Sequence, residues 1–289
     1  MQSLSYARPS SIQEACSLLD EFSGGAVVLA GGQSLLPLLR LGAAITDCVV
    51  DVNHIEGGDR IVVDEDHVEV GFGARHVDVA TDEAVRERCR VLAETAGHIG
   101  DTQVRNRGTL CGSIAHADPA GDPPVLATLL DAEIVAASVS GETTYRGSSF
   151  FHGFYETELD ETELVTAVRF PTVAPPRGAA YEKWEPSEGA YPVATVGALV
   201  ELDGDLVADA SLVAGAVEAG PTPRPEAVEL LVGREPTEAT VTEAAVAVGE
   251  HADPIDDAEG TADFKRELLK TLAKRALLAA VERAGGPTP

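Results

Sequence analysis

Two runs of small and polar residues, about eighty positions apart, have the residue types to hold a phosphate between them. The first is Leu29-Ala30-Gly31-Gly32-Gln33-Ser34-Leu35, which joins an apolar stretch to a leucine-rich one. Paired glycines let a backbone approach a ligand closely and adopt positive φ. The amides that follow, with Gln33, Ser34 and the start of a helix, could all face an anion. The spacing is neither G-x-G-x-x-G nor G-x-x-x-x-G-K-[ST], so a Rossmann or Walker nucleotide site is not supported. Taken alone, the run reads more simply as a plain glycine turn.

The second run extends from His98 to Asp122 and is dense in glycine and small polar residues, with no clear period. Long irregular stretches inside a compact domain are usually functional. Backbone amides from Thr109 through Leu110, Cys111 and Gly112 to Ser113 could meet a second face of a diphosphate. Asp118 or Asp122 could accept hydrogen bonds from a polyol. His116 could act as a base or a covalent anchor, but no partner stands beside it in sequence, and a hydrogen-bonding or packing role is simpler. Cys111 has no neighbour that would activate it as a nucleophile, so packing is expected there too. Cys16, Cys48, Cys89 and Cys111 stand singly, without C-x-x-C spacing. That argues against a zinc site, or an iron–sulfur cluster held by this chain alone.

The surrounding pattern supplies elements to position these runs. Ser10-Ser11 before Ile12, Ala15, Leu18 and Leu19, with Glu14 three residues after Ser11, predicts a capped amphipathic helix ended by Gly24-Gly25. Ala26–Ala30 and Val49–Val52 read as short strands around a helix at Ser34–Leu41, a small α/β unit. Ile61–Val63 and Val68–Phe72 read as strands, Val77–Ala96 as helix, Pro123–Leu130 as a short helix, and Glu133–Ser138 and Leu164–Phe170 as strands. Together they make a mixed unit. Pro171, Pro175, Pro176 and Gly178 mark a linker. Beyond it, Val193–Leu202 and Leu206–Gly215 read as strands around an Asp203-Gly204 turn. Arg224–Val232, Thr237–Glu250 and Ala262–Arg283 read as helices, the last with its basic residues turned away from its apolar face.

Composition narrows the partners. The chain has 289 residues, 44% of them apolar, enough for two or three packed units. Its 21 Lys+Arg against 48 Asp+Glu leave a charge of −27. Such an anion repels nucleic acid and anionic lipid. The acid is spread through Asp64–Asp66, Glu156–Glu163 and Asp253–Glu259, which suits a solvated surface in a salt-loving host. No signal-peptide pattern and no membrane-spanning apolar run is present, so a soluble, cytoplasmic protein is expected.

Set side by side, the runs resemble a known family. A-G-G-Q-S-L-L-P, followed by Q-V-R-N-R-G-T-x-x-G-S-x-x-H-A-D-P-A-x-D, is similar to the FAD-binding medium subunit of molybdenum hydroxylases of the carbon monoxide and xanthine dehydrogenase type. Phe150-Phe151-His152-Gly153-Phe154, Glu163-Leu164-Val165 through Arg169-Phe170-Pro171, Tyr181-Glu182-Lys183, Pro254-Ile255-Asp256-Asp257 and Lys274-Arg275-Ala276-Leu277 fit as well. The resemblance covers nearly the whole chain in order.

It implies an α+β protein: a two-subdomain FAD-binding fold of the vanillyl-alcohol-oxidase type at 1–58 and 59–175, then a C-terminal α+β domain at 176–289. It also implies that Leu29, Ala30, Gly31, Gly32, Gln33, Ser34 and Leu35 wrap the diphosphate of a non-covalent FAD, with Thr109, Leu110, Cys111, Gly112 and Ser113 opposite. Ile99 would pack near the flavin and Asp122 would bind the ribityl chain. Val165 would contact adenine through its backbone, Lys183 would sit near the isoalloxazine, and Tyr191 would cover one flavin face. The family usually reads T-x-G-G where this chain has Thr109-Leu110-Cys111-Gly112. If that position needs positive φ, cysteine would cost roughly 1–2 kcal/mol.

The resemblance further implies partners. A large subunit would carry the molybdenum cofactor and oxidise the substrate. A small subunit would carry two [2Fe–2S] clusters, and the whole would form a dimer of heterotrimers. Two other readings stay open: a stand-alone flavin oxidase, and a non-catalytic adaptor that has lost FAD.

Overall fold

The computed structural model describes residues 4–286. Three larger sheets follow one another along the chain, with a two-stranded ribbon of Phe151–Gly153 and Glu156–Thr157 beside them and helices between them. Ser11 caps the helix Ile12–Phe22 by accepting from the Glu14 amide at 3.1 Å. The Glu14 carboxylate in turn accepts from the amide and hydroxyl of Ser10, one position earlier than a standard capping box. Ser23 and Gly24 end the helix in the left-handed region. Strands Ser5–Ala7, Cys48–Asp51 and Ala26–Leu29 form a parallel sheet with Cys48–Asp51 in the centre. The helix Leu35–Leu41 follows the first glycine run.

The second sheet has five antiparallel strands, in the order Ile61–Val63, His67–Gly71, Leu164–Pro171, Glu133–Ser138 and Gly141–Arg146. The buried face of Ile12–Phe22 packs against it, with Ala15, Cys16 and Leu19 joining Ile134, Phe150 and Val168 in one core. Cys16 Sγ reaches the Ala137 carbonyl at 3.3 Å. The first two sheets therefore share a core across a single helix.

The third sheet, Arg177–Trp184, Ala194–Asp203, Leu206–Gly215 and Thr222–Pro223, is antiparallel. Alternation along the central strand decides its two faces. Ala194, Val196, Ala198, Val200 and Leu202 pack with the helices Glu238–Glu250 and Ala262–Arg283. The other face receives the helix Asp122–Leu129, all of whose residues are buried. Gly215 permits that approach, because a Cβ there would fall 2.5 Å from Val125 Cγ2. No described helix is long and apolar enough to cross a membrane.

Three sequence expectations change. The stretch Val77–Ala96 is not one helix but three, His76–Thr81, Glu83–Arg88 and Arg90–Gly97. Asp82 adopts an extended backbone and caps the second by accepting from the Val85 amide, so its side chain competes with helix continuation. The supposedly irregular run after His98 holds two short helices, Thr102–Arg105 and Leu110–His116. Seven residues or fewer are too short to show a helical period. Finally, Lys265 does not face solvent with the other cations of the last helix. It is buried, and its Nζ is held by the Ile255 carbonyl at 3.1 Å and by Asp257 Oδ2 at 2.5 Å.

Candidate flavin-binding site

The first glycine run leaves the C-terminal end of its parallel strand, the edge where open α/β sheets bind ligands. Gly32 has φ +73°, which turns the chain into the helix Leu35–Leu41. Gly31 is buried directly against the second run. A Cβ there would lie 2.5 Å from the Arg107 carbonyl oxygen, 2.7 Å from Gly108 Cα and 3.0 Å from the Thr109 nitrogen. The two runs thus meet backbone to backbone, the first leaving the parallel sheet and the second running between the helices Arg90–Gly97 and Asp122–Leu129. Gln33 is exposed beside this seam. Ser34 makes no side-chain cap to the helix it precedes, so the hydroxyl is free to serve something else.

On the far side, Thr109 caps Leu110–His116 by accepting from the Gly112 amide at 3.2 Å. Gly112 is exposed while Leu110 and Cys111, just before it, are buried. Bare backbone at a helix start therefore faces outward, as phosphate approach requires. Cys111 corrects the strain expected of it. It lies within the helix, with no positive φ, and its Sγ reaches the Val70 carbonyl at 3.4 Å. Burial pushes its thiol well above the usual range. It is a packing residue, and the position needs no glycine.

A second cluster joins the C-terminal sheet to the second run. Asp122 is buried at the start of its helix and accepts from Tyr181 Oη at 2.6 Å and Lys183 Nζ at 3.1 Å. Lys183 Nζ also donates to the His98 carbonyl at 2.7 Å and lies 3.3 Å from Glu185 Oε2. Burial raises the Asp122 carboxyl, and the Lys183 charge and Tyr181 hydrogen bond only partly offset it. The same burial, with the Asp122 charge, raises the Tyr181 phenol well above its ordinary range. Ile99 sits half-buried beside this cluster, its carbonyl held by Arg105 Nη1 at 3.2 Å.

Asp118 and Tyr191 belong to a third group. Asp118 Oδ1 accepts from the Ala120 amide at 2.9 Å, and Oδ2 lies 3.5 Å from Tyr155 Oη. The His116 and Tyr155 ring centroids are 5.1 Å apart. The Tyr191 phenol is raised by burial and by the Asp118 charge, although 65% of the residue is exposed. Val165 is buried at the start of Leu164–Pro171 and is linked to none of these clusters by a side-chain hydrogen bond. Among the described residues, no group of three or more His, Cys, Asp or Glu is placed to hold a metal ion.

Sequence reasoning missed Asn53, Arg75, His76 and Tyr155. Asn53 had a signal available, since it follows the central parallel strand on its ligand-binding edge. The others had none. His76 is buried under the second run. A Cβ at Gly108 would fall 2.9 Å from His76 Cδ2, and His76 Nε2 meets Ser113 Oγ at 3.3 Å. Burial, then the Arg105 and Arg75 charges, pull the imidazole from 6.5 down to about 4. The folded ring stays neutral while the unfolded ring protonates below 6.5. Stability is therefore expected to fall as pH drops from 6.5 to 4, by up to about 3 kcal/mol. Urea unfolding of wild type and His76→Gln across that window checks this. The pH slope should shrink in the variant, and an unchanged slope would assign it elsewhere.

Comparison with known proteins follows the same geometry. Residues 2–173 match the family model described as the FAD binding domain in molybdopterin dehydrogenase, and residues 179–280 match the CO dehydrogenase flavoprotein C-terminal domain. The chain is 34% identical to the carbon monoxide dehydrogenase medium chain of Hydrogenophaga pseudoflava, over 96% of this chain and 97% of that one. It is 32% identical to the glyceraldehyde dehydrogenase medium chain of Sulfolobus acidocaldarius, over 94% and 96%. Among solved structures, a chain of the H. pseudoflava carbon monoxide dehydrogenase superposes with a TM-score of 0.93 at 34% identity, covering 97% of this chain and 98% of that one. A chain of quinoline 2-oxidoreductase from Pseudomonas putida 86 gives 0.91 at 31% identity, covering 98% of each. This chain therefore belongs to the FAD-binding medium-subunit family of the molybdenum hydroxylases.

Proposed function

We propose that this chain is the FAD-carrying electron-transfer subunit of a molybdenum hydroxylase complex. The observation that carries the reading is the seat of Gly31 on the backbone of Arg107–Thr109, which brings two glycine runs far apart in sequence to one seam. The residues present suit a dinucleotide there. Gly112 is exposed and carries no side chain to bar a ligand's approach, Ser34 offers an uncommitted hydroxyl, and Gln33 an exposed amide. When bound, FAD supplies a redox centre between [2Fe–2S] clusters on a small partner subunit and an external acceptor.

The chain's own task is to bind and orient that cofactor. Residues 29–35 and 109–113 hold the diphosphate from opposite sides. Asp122 and Asp118 offer acceptors for the polyol chain. Lys183, fixed by Asp122 and the His98 carbonyl, places a positive charge beside the ring system. Ile99 and Tyr191 supply apolar walls, and Val165 meets the adenine through its backbone. In this reading 1–58 and 59–175 are the two halves of the clamp, and 176–289 is its cover. Substrate oxidation belongs to a large subunit with the molybdenum cofactor, in a cytoplasmic dimer of heterotrimers. The charge of −27 suits a surface solvated at high salt.

The test is to purify the full chain alone and with its co-expressed partners. A band near 450 nm, released by denaturation, is expected in both preparations, with substrate turnover in the complex only. Turnover by the single chain would make it a stand-alone oxidase. Failure to take up FAD in either preparation would make it an adaptor.

A further inference from the structure

We propose that Asn53 and Arg75 form a clamp that sets the spacing of the two glycine runs, and so grades how tightly the diphosphate is gripped; this rests on the reading that those runs hold FAD. The clamp is a continuous chain of hydrogen bonds from one run to the other. Asn53 Nδ2 donates to the Ala30 carbonyl at 2.8 Å and approaches the Leu29 carbonyl at 3.3 Å, both in the first run. Asn53 Oδ1 accepts from Arg75 Nη2 at 2.6 Å. Arg75 Nη1 donates at 2.6 Å to the Arg107 carbonyl in the second run. That carbonyl is the same one a Gly31 Cβ would strike. Clamp and seat therefore act on one atom.

Both members are themselves fixed. The Asn53 amide and side chain donate to Asp51 Oδ1 at 3.0 and 2.7 Å, and Tyr6 Oη donates to Asp51 Oδ2. Asp51 is buried, yet its carboxyl is held below the usual range, because the bonds from Tyr6 and Asn53 outweigh the burial that would raise it. Arg75 stands at the start of the helix His76–Thr81, where its own amide donates to Asp78 Oδ2 at 3.0 Å. A guanidinium suits the task because its planar fork presents two donors at a fixed separation, one to each side. A lysine has one rotatable ammonium and cannot reproduce that spacing. Both act through the backbone of the runs they join, so both are positioning residues.

The experiment titrates the full flavin-free chain with FAD, and separately with ADP, which carries the diphosphate without the ring system. Arg75→Lys and Asn53→Ala are each expected to weaken FAD and ADP in parallel, at least tenfold. The double variant should lose little more than the worse single one, since either change opens the same chain. Thermal midpoints of the flavin-free forms should stay close to wild type. Wild-type affinity for both ligands in Arg75→Lys and Asn53→Ala would overturn the clamp. So would losses that add fully in the double variant, or losses matched by a general fall in midpoint. If wild type itself took up no FAD, the underlying assignment would fail instead. Loss of binding in Gly31→Val with clamp variants unaffected would spare that assignment and remove the clamp alone.

Discussion

Gly31→Val is expected to leave the chain folded and colourless. The new Cβ would lie 2.5 Å from the Arg107 carbonyl oxygen and 2.7 Å from Gly108 Cα. Both neighbours are backbone, so no side chain can swing away to make room. The two runs must separate, and overpacking of this kind costs about 1–3 kcal/mol. The larger effect falls on the cofactor. A diphosphate held from two sides loses one side when the gap opens, and each lost charge-assisted hydrogen bond is worth about 1.5–3 kcal/mol. Two such losses correspond to a weakening of FAD on the order of a hundredfold or more. Absorbance near 450 nm after gel filtration reads the result directly. Gly97→Ala is a matched control, because a Cβ there meets only Ala80 Cβ, at 3.8 Å. Wild-type flavin content in Gly31→Val would show that the seam is a packing contact and not a cradle.

The second large effect is expected at Lys183. Its ammonium is 11% exposed and compensates Asp122, itself 5% exposed, with Glu185 also within ion-pair distance. Lys183→Met leaves the buried Asp122 carboxylate, and the partly exposed Glu185 carboxylate beside it, without a cation. Removing one partner of a buried pair typically costs about 3–5 kcal/mol. A fall in thermal midpoint on the order of 10 °C follows. The pH dependence carries a distinct sign. Burial already raises the Asp122 carboxyl above its ordinary 3.8, and loss of Lys183 raises it further. The folded variant then binds a proton more readily than the unfolded chain. Between 3.8 and the raised value, its stability should increase as pH falls. Lys183→Met should therefore be less destabilised at pH 5 than at pH 8. Adding Asp122→Asn should restore much of the loss at pH 8, because the amide oxygen can still accept from Tyr181. If the single variant were equally stable at both pH values, the Asp122–Lys183 pair would not be the source of the effect.

Much of the architecture was legible from short-range signals. Ser11, Thr237 and Thr261 cap the helices they precede, and each accepts from an amide three residues on. The last helix runs Ala262–Arg283, the span its apolar period predicts. Glu133–Ser138 is likewise the strand that its residues suggest. The two glycine runs were visible because a turn and a close approach both demand glycine, whatever surrounds them. The breaks at Asp82 and Cys89 were not visible, since a helical period passes through both.

What the sequence by itself determined is therefore local: which segments form helices and strands, where they begin, and which two runs expose enough backbone to meet an anion. Tertiary structure decided which residues act together. Asn53 reaches Arg75 across 22 positions, Arg75 reaches Arg107 across 32, and Lys183 reaches Asp122 across 61. Packing likewise made Cys111 a core residue inside a helix and drew Lys265 away from solvent to Asp257. The physical reason is range. A cap or a turn is settled by neighbours within four residues, so its code is written beside it. A hydrogen bond between distant side chains exists only after sheets and helices have docked, and no spacing along the chain encodes where that docking will bring them.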